Sequence, residues 1–240
     1  MNIAAQIRQT IGTMPEDKIF GYADLGISRD VYLTSAKALE RLQKEGLIRK
    51  MSKGIFYKPK MTVFGELKPD DREQLKPYLF KNGKRIAYVT GESLYNEMGL
   101  TTQMAFRIKI AGKRRINIDK GALKAKSVKS YTNVTDENYL LLGFLDAIKD
   151  IKKIPDCSAA TAVIIIMQKL KKFDDKEIKQ LTNYALLYPP RVRALLGAML
   201  EKNKKTKILS TLKKSLNPMT TFKLRLNERD LPTMKNWYIV

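Results

Sequence analysis

Asp146 and Asp150 stand four residues apart in a helical stretch, a spacing that puts both carboxylates on one helix face. Paired carboxylates can hold a divalent metal. Here Lys149 and Lys153 are interleaved with them, and the pattern favours ion pairing along the helix. Ser210 and Lys213 form a Ser-x-x-Lys match, but the motifs that accompany it in β-lactamase-type enzymes are missing. Gly83-Lys84 and Gly112-Lys113 lack both the earlier glycine and the following hydroxyl of a phosphate-cradling loop. Cys157, the single cysteine, lies near a helix start, where a thiol can become reactive; a small buried hydrophobe is its plainer role. The chain has no histidine. Ser-His and Cys-His catalysis and the usual zinc sites are therefore excluded. These residues point away from an enzyme and call for no cofactor and no metal.

Basic side chains dominate instead. Lys and Arg number 46 against 24 Asp and Glu, a formal charge of +22. Such a surplus opposes compaction, and a polyanionic partner is its usual reason. A lysine-rich solvated surface is the other explanation. The 240 residues suggest one or two domains, with an ordinary 44% of apolar residues. One cysteine fits a reducing compartment. MNIAAQIRQTIG has no apolar signal-peptide core, and AATAVIII at 159–166 is too short to span a bilayer. The expectation is a soluble cytoplasmic protein with no membrane partner.

The elements that carry the cations come first in the chain. Ile3, Ile7 and Ile11 recur at four-residue spacing, a helix that Met14-Pro15 ends. Lys18–Phe20 reads as a short strand and Tyr22–Leu25 as a short helix closed by Gly26. The next helix has Val31, Ser35, Ala38, Leu39 and Leu42 on its apolar side and stops at Gly46. Ser28, Asp30 and Thr34 are each able to cap it. Two strands follow, Leu47–Met51 and Ile55–Lys58, joined by Ser52-Lys53-Gly54, a three-residue loop with glycine last. This is the order of a winged helix-turn-helix, assigned to residues 1–60. In such a domain one helix enters the major groove and the hairpin lies on flanking phosphates. The candidate DNA contacts are Arg29, Tyr32, Thr34, Ser35, Lys37, Arg41 and Lys44 from the helix, with Lys50, Lys53 and Lys58 from the hairpin. Ser35 is equally suited to packing beside Val31, and Arg29 to pairing with Asp30 or Asp24.

Residues 61–240 form the expected second domain: mixed α/β over 61–135, mainly helical over 136–216, and a closing strand at 220–226. The fold class is thus α+β. Asp70–Phe80 reads as a helix that Pro77 kinks or splits. Strands are expected at Ile86–Thr90, Ala105–Ala111, Arg115–Ile118 and Leu123–Lys129. Helices are expected at Gly91–Gly99, from Asp136 to Ile151, and at Ser158–Lys171, Asp174–Leu187, Pro190–Glu201 and Lys207–Leu216. In TGESLYNEMGLTTQ the two glycines bound a packing helix, while Thr101, Thr102 and Gln103 offer hydrogen bonds to a partner. Arg191 and Arg193 are candidate phosphate or carboxylate ligands, or a surface pair on an otherwise buried helix.

Three stretches carry a resemblance: ALERLQKEGLIRKMSKGIFYKP (38–59), VTGESLYNEMGLTTQ (89–103) and YPPRVRALLGAMLE (188–201). With their order and spacing, the chain resembles the AbiEi-type antitoxins of type IV, abortive-infection toxin–antitoxin systems over nearly its whole length. The resemblance implies a winged domain that represses its own promoter at inverted repeats; such symmetric sites need a pair of winged domains, as a homodimer or as cooperative monomers. It also implies a C-terminal domain that counteracts a nucleotidyltransferase-like toxin. The chain lacks the Gly-Ser and paired carboxylates of such a toxin, so it is not the toxin itself. The alternatives are an RNA-binding or nucleic-acid-modifying protein with its site in the C-terminal half, and a module that silences a partner without touching DNA.

Overall fold

The computed structural model describes residues 3–63, 65–67, 69–120, 123–204 and 208–240, with the side chains of Arg29 and Lys120 outside the described set. The chain is mixed α+β and divides into two compact units, Met1–Gly83 and Lys84–Val240.

In the first unit, α1 (Ile3–Thr13) buries Ile7 and Ile11, as the isoleucine spacing requires. β1 (Ile19–Gly21) leads to a 3-10 turn at Ala23–Leu25, closed by Gly26 in the left-handed region at φ 64. α2 (Tyr32–Lys44) buries Ser35, Ala38, Leu39 and Leu42. Its entry is a second 3-10 turn, Arg29–Val31, and Val31 occupies the cap position without a side-chain bond. None of the three expected capping residues takes that place. Ser28 instead bonds the carboxyl of Asp30, which holds that exposed group below its ordinary range.

β2 (Arg49–Ser52) and β3 (Ile55–Tyr57) complete an antiparallel sheet in the order β1-β3-β2. Phe20 pairs with Phe56 in register, their rings 6.0 Å apart. Ser52 pairs with Ile55, so the loop is Lys53-Gly54, one residue shorter than expected, and the register shifts between Lys50 and Ser52. The core joins both helices to the sheet through Ile7, Ile11, Phe20, Leu39, Leu42, Ile48 and Phe56. Leu39 is fully enclosed, and its truncation to alanine costs about 3 kcal/mol.

The expected boundary at 60/61 lies instead at 83/84. β4 (Lys60–Thr62) and β5 (Gly65–Leu67) form a hairpin that turns back on β2 and β3. Arg49 pairs with Glu66 at 2.9 Å, and the Tyr57 hydroxyl donates to Glu66 at 3.2 Å. α3 (Asp71–Leu79) starts on Asp70, whose carboxylate accepts the Glu73 amide at 2.8 Å. Pro77 sits near the helix end, so α3 runs past it to Leu79 unsplit. β6 (Phe80–Lys81) follows.

The second unit opens with β7 (Lys84–Arg85), β8 (Ala87–Thr90) and α4 (Glu92–Glu97). β9 (Ile108–Gly112), β10 (Asn117–Lys120) and β11 (Leu123–Lys129) join β8 in a sheet of order β10-β11-β9-β8. β11 and β9 are parallel and the other pairs antiparallel. The strand expected at Ala105 begins only at Ile108, where pairing with β11 and β8 starts. The strand expected at Arg115–Ile118 is displaced to 117–120, where it pairs with β11.

α5 (Tyr139–Lys149) runs through the core with every residue from Leu141 to Ile148 buried. α6 (Ala159–Leu170) is a helix despite its β-branched run; Ser158 caps it by accepting the Thr161 amide at 3.0 Å. α7 (Asp175–Ala185) starts with a reciprocal capping box between Asp174 and Glu177. α8 (Pro190–Lys202) has proline in its first turn, and α9 (Leu209–Lys214) precedes the final segment. The closing strand expected at 220–226 reduces to one parallel bridge, Phe222 with Ile239. Arg225 takes a left-handed conformation at φ 56, which interrupts any extended run. Gly197 on α8 lies against the Trp237 indole so closely that a Cβ there would collide with the ring. Among the described residues no helix is long and apolar enough to cross a membrane.

Candidate nucleic-acid interface

Burial of Ala38, Leu39 and Leu42 fixes the rotation of α2, which leaves Tyr32, Thr34, Lys37, Arg41 and Lys44 exposed. Lys37, Arg41 and Lys44 fall at three- and four-residue steps and form one stripe. Thr34, Lys37 and Arg41, with Leu33 and Ala4, border a concavity of about 360 Å³. Lys44 pairs with Glu40 at 3.1 Å, but both side chains are mostly exposed, and such a pair contributes at most about 1 kcal/mol. Lys37 and Arg41 have no carboxylate partner among the described residues. Leu33 was not expected here: it is 77% exposed at the amino end of α2. A leucine off the core-facing side of a helix was the available sign.

The hairpin reaches the same end of α2. Gly54, at φ 73, adopts the left-handed turn conformation that glycine tolerates best, and a side chain there would meet the Tyr22 ring at 3.6 Å. Tyr22 in turn lies 4.5 Å from Tyr32, the first residue of α2, and 6.0 Å edge-on from Phe56. Burial, and then the neighbouring Tyr32 hydroxyl, pushes the Tyr22 phenol up. One aromatic side chain therefore couples the β2–β3 turn to the start of α2. Lys50 and Lys53 are exposed on that hairpin, with no carboxylate partner among the described residues.

Four of the expected contacts make hydrogen bonds within the protein. Ser35 is fully buried, and its hydroxyl donates to the Val31 carbonyl at 2.9 Å, so of its two readings packing is the one observed. Lys58 donates to the carbonyls of Gly12 and Met14 at 3.0 and 2.9 Å, satisfying acceptors at the end of α1. Arg191 donates to the Lys149 carbonyl at 3.1 Å, and Arg193 to the Ser215 carbonyl at 2.9 Å, just past α9. Both arginines thus hold helix ends of their own unit. Arg29 lies outside the described side chains. Asp24 accepts the Gly21 amide at 2.7 Å.

The second unit holds a polar cluster that the sequence did not reveal. Asp146 is buried on α5. Its carboxylate accepts from the Tyr88 and Thr90 hydroxyls at 2.8 Å each, from Lys149 at 2.9 Å and from Tyr188 at 3.4 Å. Tyr95 donates to Asp150 at 2.8 Å, and Lys149 is 3.8 Å from that carboxylate. Lys149 therefore serves both aspartates, as the interleaved sequence suggests. Burial, reinforced by the Asp146 charge, pushes the phenols of Tyr88 and Tyr188 far up; burial with Asp150 does the same to Tyr95. Burial alone would lower Lys149, but the two carboxylates outweigh it and hold its ammonium above the lysine range. The half-buried Cys157 thiol is pushed up by desolvation, away from the reactive thiolate. Thr101 is buried, and its hydroxyl accepts the Gln103 amide at 3.1 Å, which assigns it to the turn after α4. Among the described residues no three His, Cys, Asp or Glu side chains gather as a metal site.

Residues 6–178 match the model of a family of unknown function, DUF6088, and the chain belongs to that family. No curated protein matches the chain.

Proposed function

We propose that the protein is a promoter-binding autorepressor that acts as the antitoxin of a nucleotidyltransferase-type toxin, in the cytoplasm and without a catalytic step of its own. The first unit would serve as a winged helix-turn-helix, with α2 in the major groove and the β2–β3 hairpin as the wing. One observation carries the DNA-binding part: the Tyr22 ring packs against both Tyr32 at the start of α2 and Phe56 of the hairpin, which sets the hairpin beside the amino end of α2, and both elements bear cations without a carboxylate partner among the described residues. A single duplex can then meet helix and hairpin together.

The amino end of a recognition helix supplies most base-edge contacts. There Thr34 offers a hydroxyl and Leu33 an apolar contact suited to a thymine methyl. Lys37, Arg41, Lys44, Lys50 and Lys53 supply phosphate contacts, which position the domain without reading sequence. Inverted repeats would engage two winged domains, as a homodimer or as two monomers docking cooperatively. The antitoxin part rests on the resemblance of the 89–103 and 188–201 stretches to AbiEi-type chains.

Footprinting of the full-length protein on its own upstream DNA tests the reading. Protection of an inverted repeat, lost in Lys37→Glu/Arg41→Glu, is the expected result. A footprint that this variant leaves intact would remove α2 from the interface. For the antitoxin role, co-expression with an adjacent nucleotidyltransferase-like gene should relieve its toxicity.

A further inference from the structure

Cations gather at a second place, within Lys84–Val240. β9 and β11 lie side by side and parallel, with Gly112 opposite Lys129, so both strands end at the same edge of the sheet. β10 lies on the far side of β11. The chain must therefore cross that edge between β9 and β10, and it does so with Lys113-Arg114-Arg115. Between this crossover and the segment leaving β11 is an open cleft of about 720 Å³, lined by residues 112–115 and 127–133.

The cleft walls are fixed by local bonds. The Ser127 amide donates to the Ile116 carbonyl at 2.8 Å, and the Ile116 amide to the Ser127 hydroxyl at 3.0 Å. The Ser130 hydroxyl donates to the Thr132 carbonyl at 2.9 Å. Gly112 permits the close strand approach, since a Cβ there would lie 2.9 Å from that of Ala87.

Three cations on neighbouring elements of this unit have carboxylate partners: Arg107 with Asp119 at 3.3 Å, Lys109 with Glu92 at 2.9 Å, and Arg85 with Asp136 at 2.8 Å. Lys113, Arg114, Arg115 and Lys129 are exposed at the cleft with none among the described residues. Four like charges on one rim repel each other, and an anion relieves that repulsion. Tyr131, 39% exposed, also lines the cleft. Its ring lies 4.0 Å from the buried Tyr188, which anchors it to the core.

We propose that this cleft binds single-stranded nucleic acid, with phosphates on Lys113, Arg114, Arg115 and Lys129 and a base stacked on Tyr131. Cations combined with an exposed, immobilised aromatic ring suit an unpaired strand, because duplex bases are already stacked on each other. The volume is that of a pocket for one small ligand, which accommodates a nucleotide but not a duplex. This site is distinct from the duplex surface of the first unit.

Fluorescent decauridylate, decathymidylate and a hairpin duplex, each titrated into the full-length protein across a salt series, test the proposal. The wild type should hold at least one single strand. Arg114→Gln/Arg115→Gln should weaken that binding about tenfold or more and flatten its salt dependence by about 0.7 for each phosphate left unneutralised. Tyr131→Ala should weaken it by about tenfold, while Tyr131→Phe retains it. Preference for decauridylate would identify RNA as the source, and equal binding of both strands would assign the site to either nucleic acid. Lys37→Glu/Arg41→Glu should leave the single strands bound, which separates this site from the promoter surface. The proposal fails if the wild type holds neither strand. It also fails if Tyr131→Ala binds as the wild type does, or if the arginine variant loses duplex and single strands equally.

Discussion

The ring of Tyr22 packs 4.5 Å from that of Tyr32, and through it the hairpin turn at Gly54 is registered against the first residue of α2. An aromatic pair contributes about 1 kcal/mol beyond its buried area. Tyr22→Ala should therefore lower promoter affinity about fivefold, while Tyr22→Phe keeps most of it. Equal affinities for both variants, measured by fluorescence anisotropy, would show that helix and hairpin need no mutual alignment.

Lys50→Glu/Lys53→Glu should weaken binding to every duplex sequence. The slope of log K against log salt should fall by about one for each phosphate that the hairpin no longer neutralises. Retention of promoter DNA at wild-type salt dependence would take the hairpin out of the interface.

Lys58 makes the opposite prediction. Its ammonium bonds two carbonyls at the end of α1, so Lys58→Met should destabilise the first unit by about 1–2 kcal/mol, read from the denaturant midpoint. Its salt slope on DNA should not change. A changed slope with unchanged stability would restore Lys58 to the phosphate-binding set.

The Asp146 cluster should show itself at alkaline pH. Tyr88, Tyr95, Tyr188 and Lys149 all have folded-state values raised above their ordinary ones. Their contribution is fully present below about pH 10 and is lost as pH rises, because the unfolded chain gives up these protons first. Melting temperature should fall from about pH 10 upward, with the buried phenols ionising only as the unit unfolds. Tyr88→Phe should make that fall shallower. Asp146→Leu leaves the Tyr88 and Thr90 hydroxyls without their acceptor and Lys149 with only the more distant Asp150, and should cost about 3 kcal/mol or more. Tyrosinate absorbance during alkaline titration checks this: three phenols that ionise normally in the folded protein would contradict the cluster.

Gly197→Ala should destabilise the second unit by about 1–3 kcal/mol, since its methyl group must displace the Trp237 indole. Wild-type stability would mean that Trp237 moves aside freely.

What could be read from the sequence followed from local periodicity. The Ile3, Ile7 and Ile11 spacing and the glycine stops near residues 26, 46 and 54 are short-range signals, and the elements they mark are present. The carbonyl bonds of Lys58, Arg191 and Arg193 were not legible, because a long cationic side chain looks the same in sequence whether it reaches a phosphate or a distant carbonyl. Ser35 gave no distinguishing sign, since a mid-helix serine can bond the carbonyl four residues back or face outward. The Asp146 cluster was hidden by distance along the chain, with its tyrosine and threonine donors at 88, 90 and 188. An aspartate within the apolar stretch of α5 was its single local mark. The closing strand failed because alternation alone does not provide a partner to pair with.

The same spread of donors bears on synthesis. Tyr88 leaves the ribosome first and Tyr188 a hundred residues later, yet both hydroxyls converge on one carboxylate. A nascent chain halted before α7 would keep Asp146 short of a ligand and α5 stripped of the helices that cover it. The second unit should therefore lock late and all at once, and shortened versions ending there should be recognised by chaperones and proteases as unfinished.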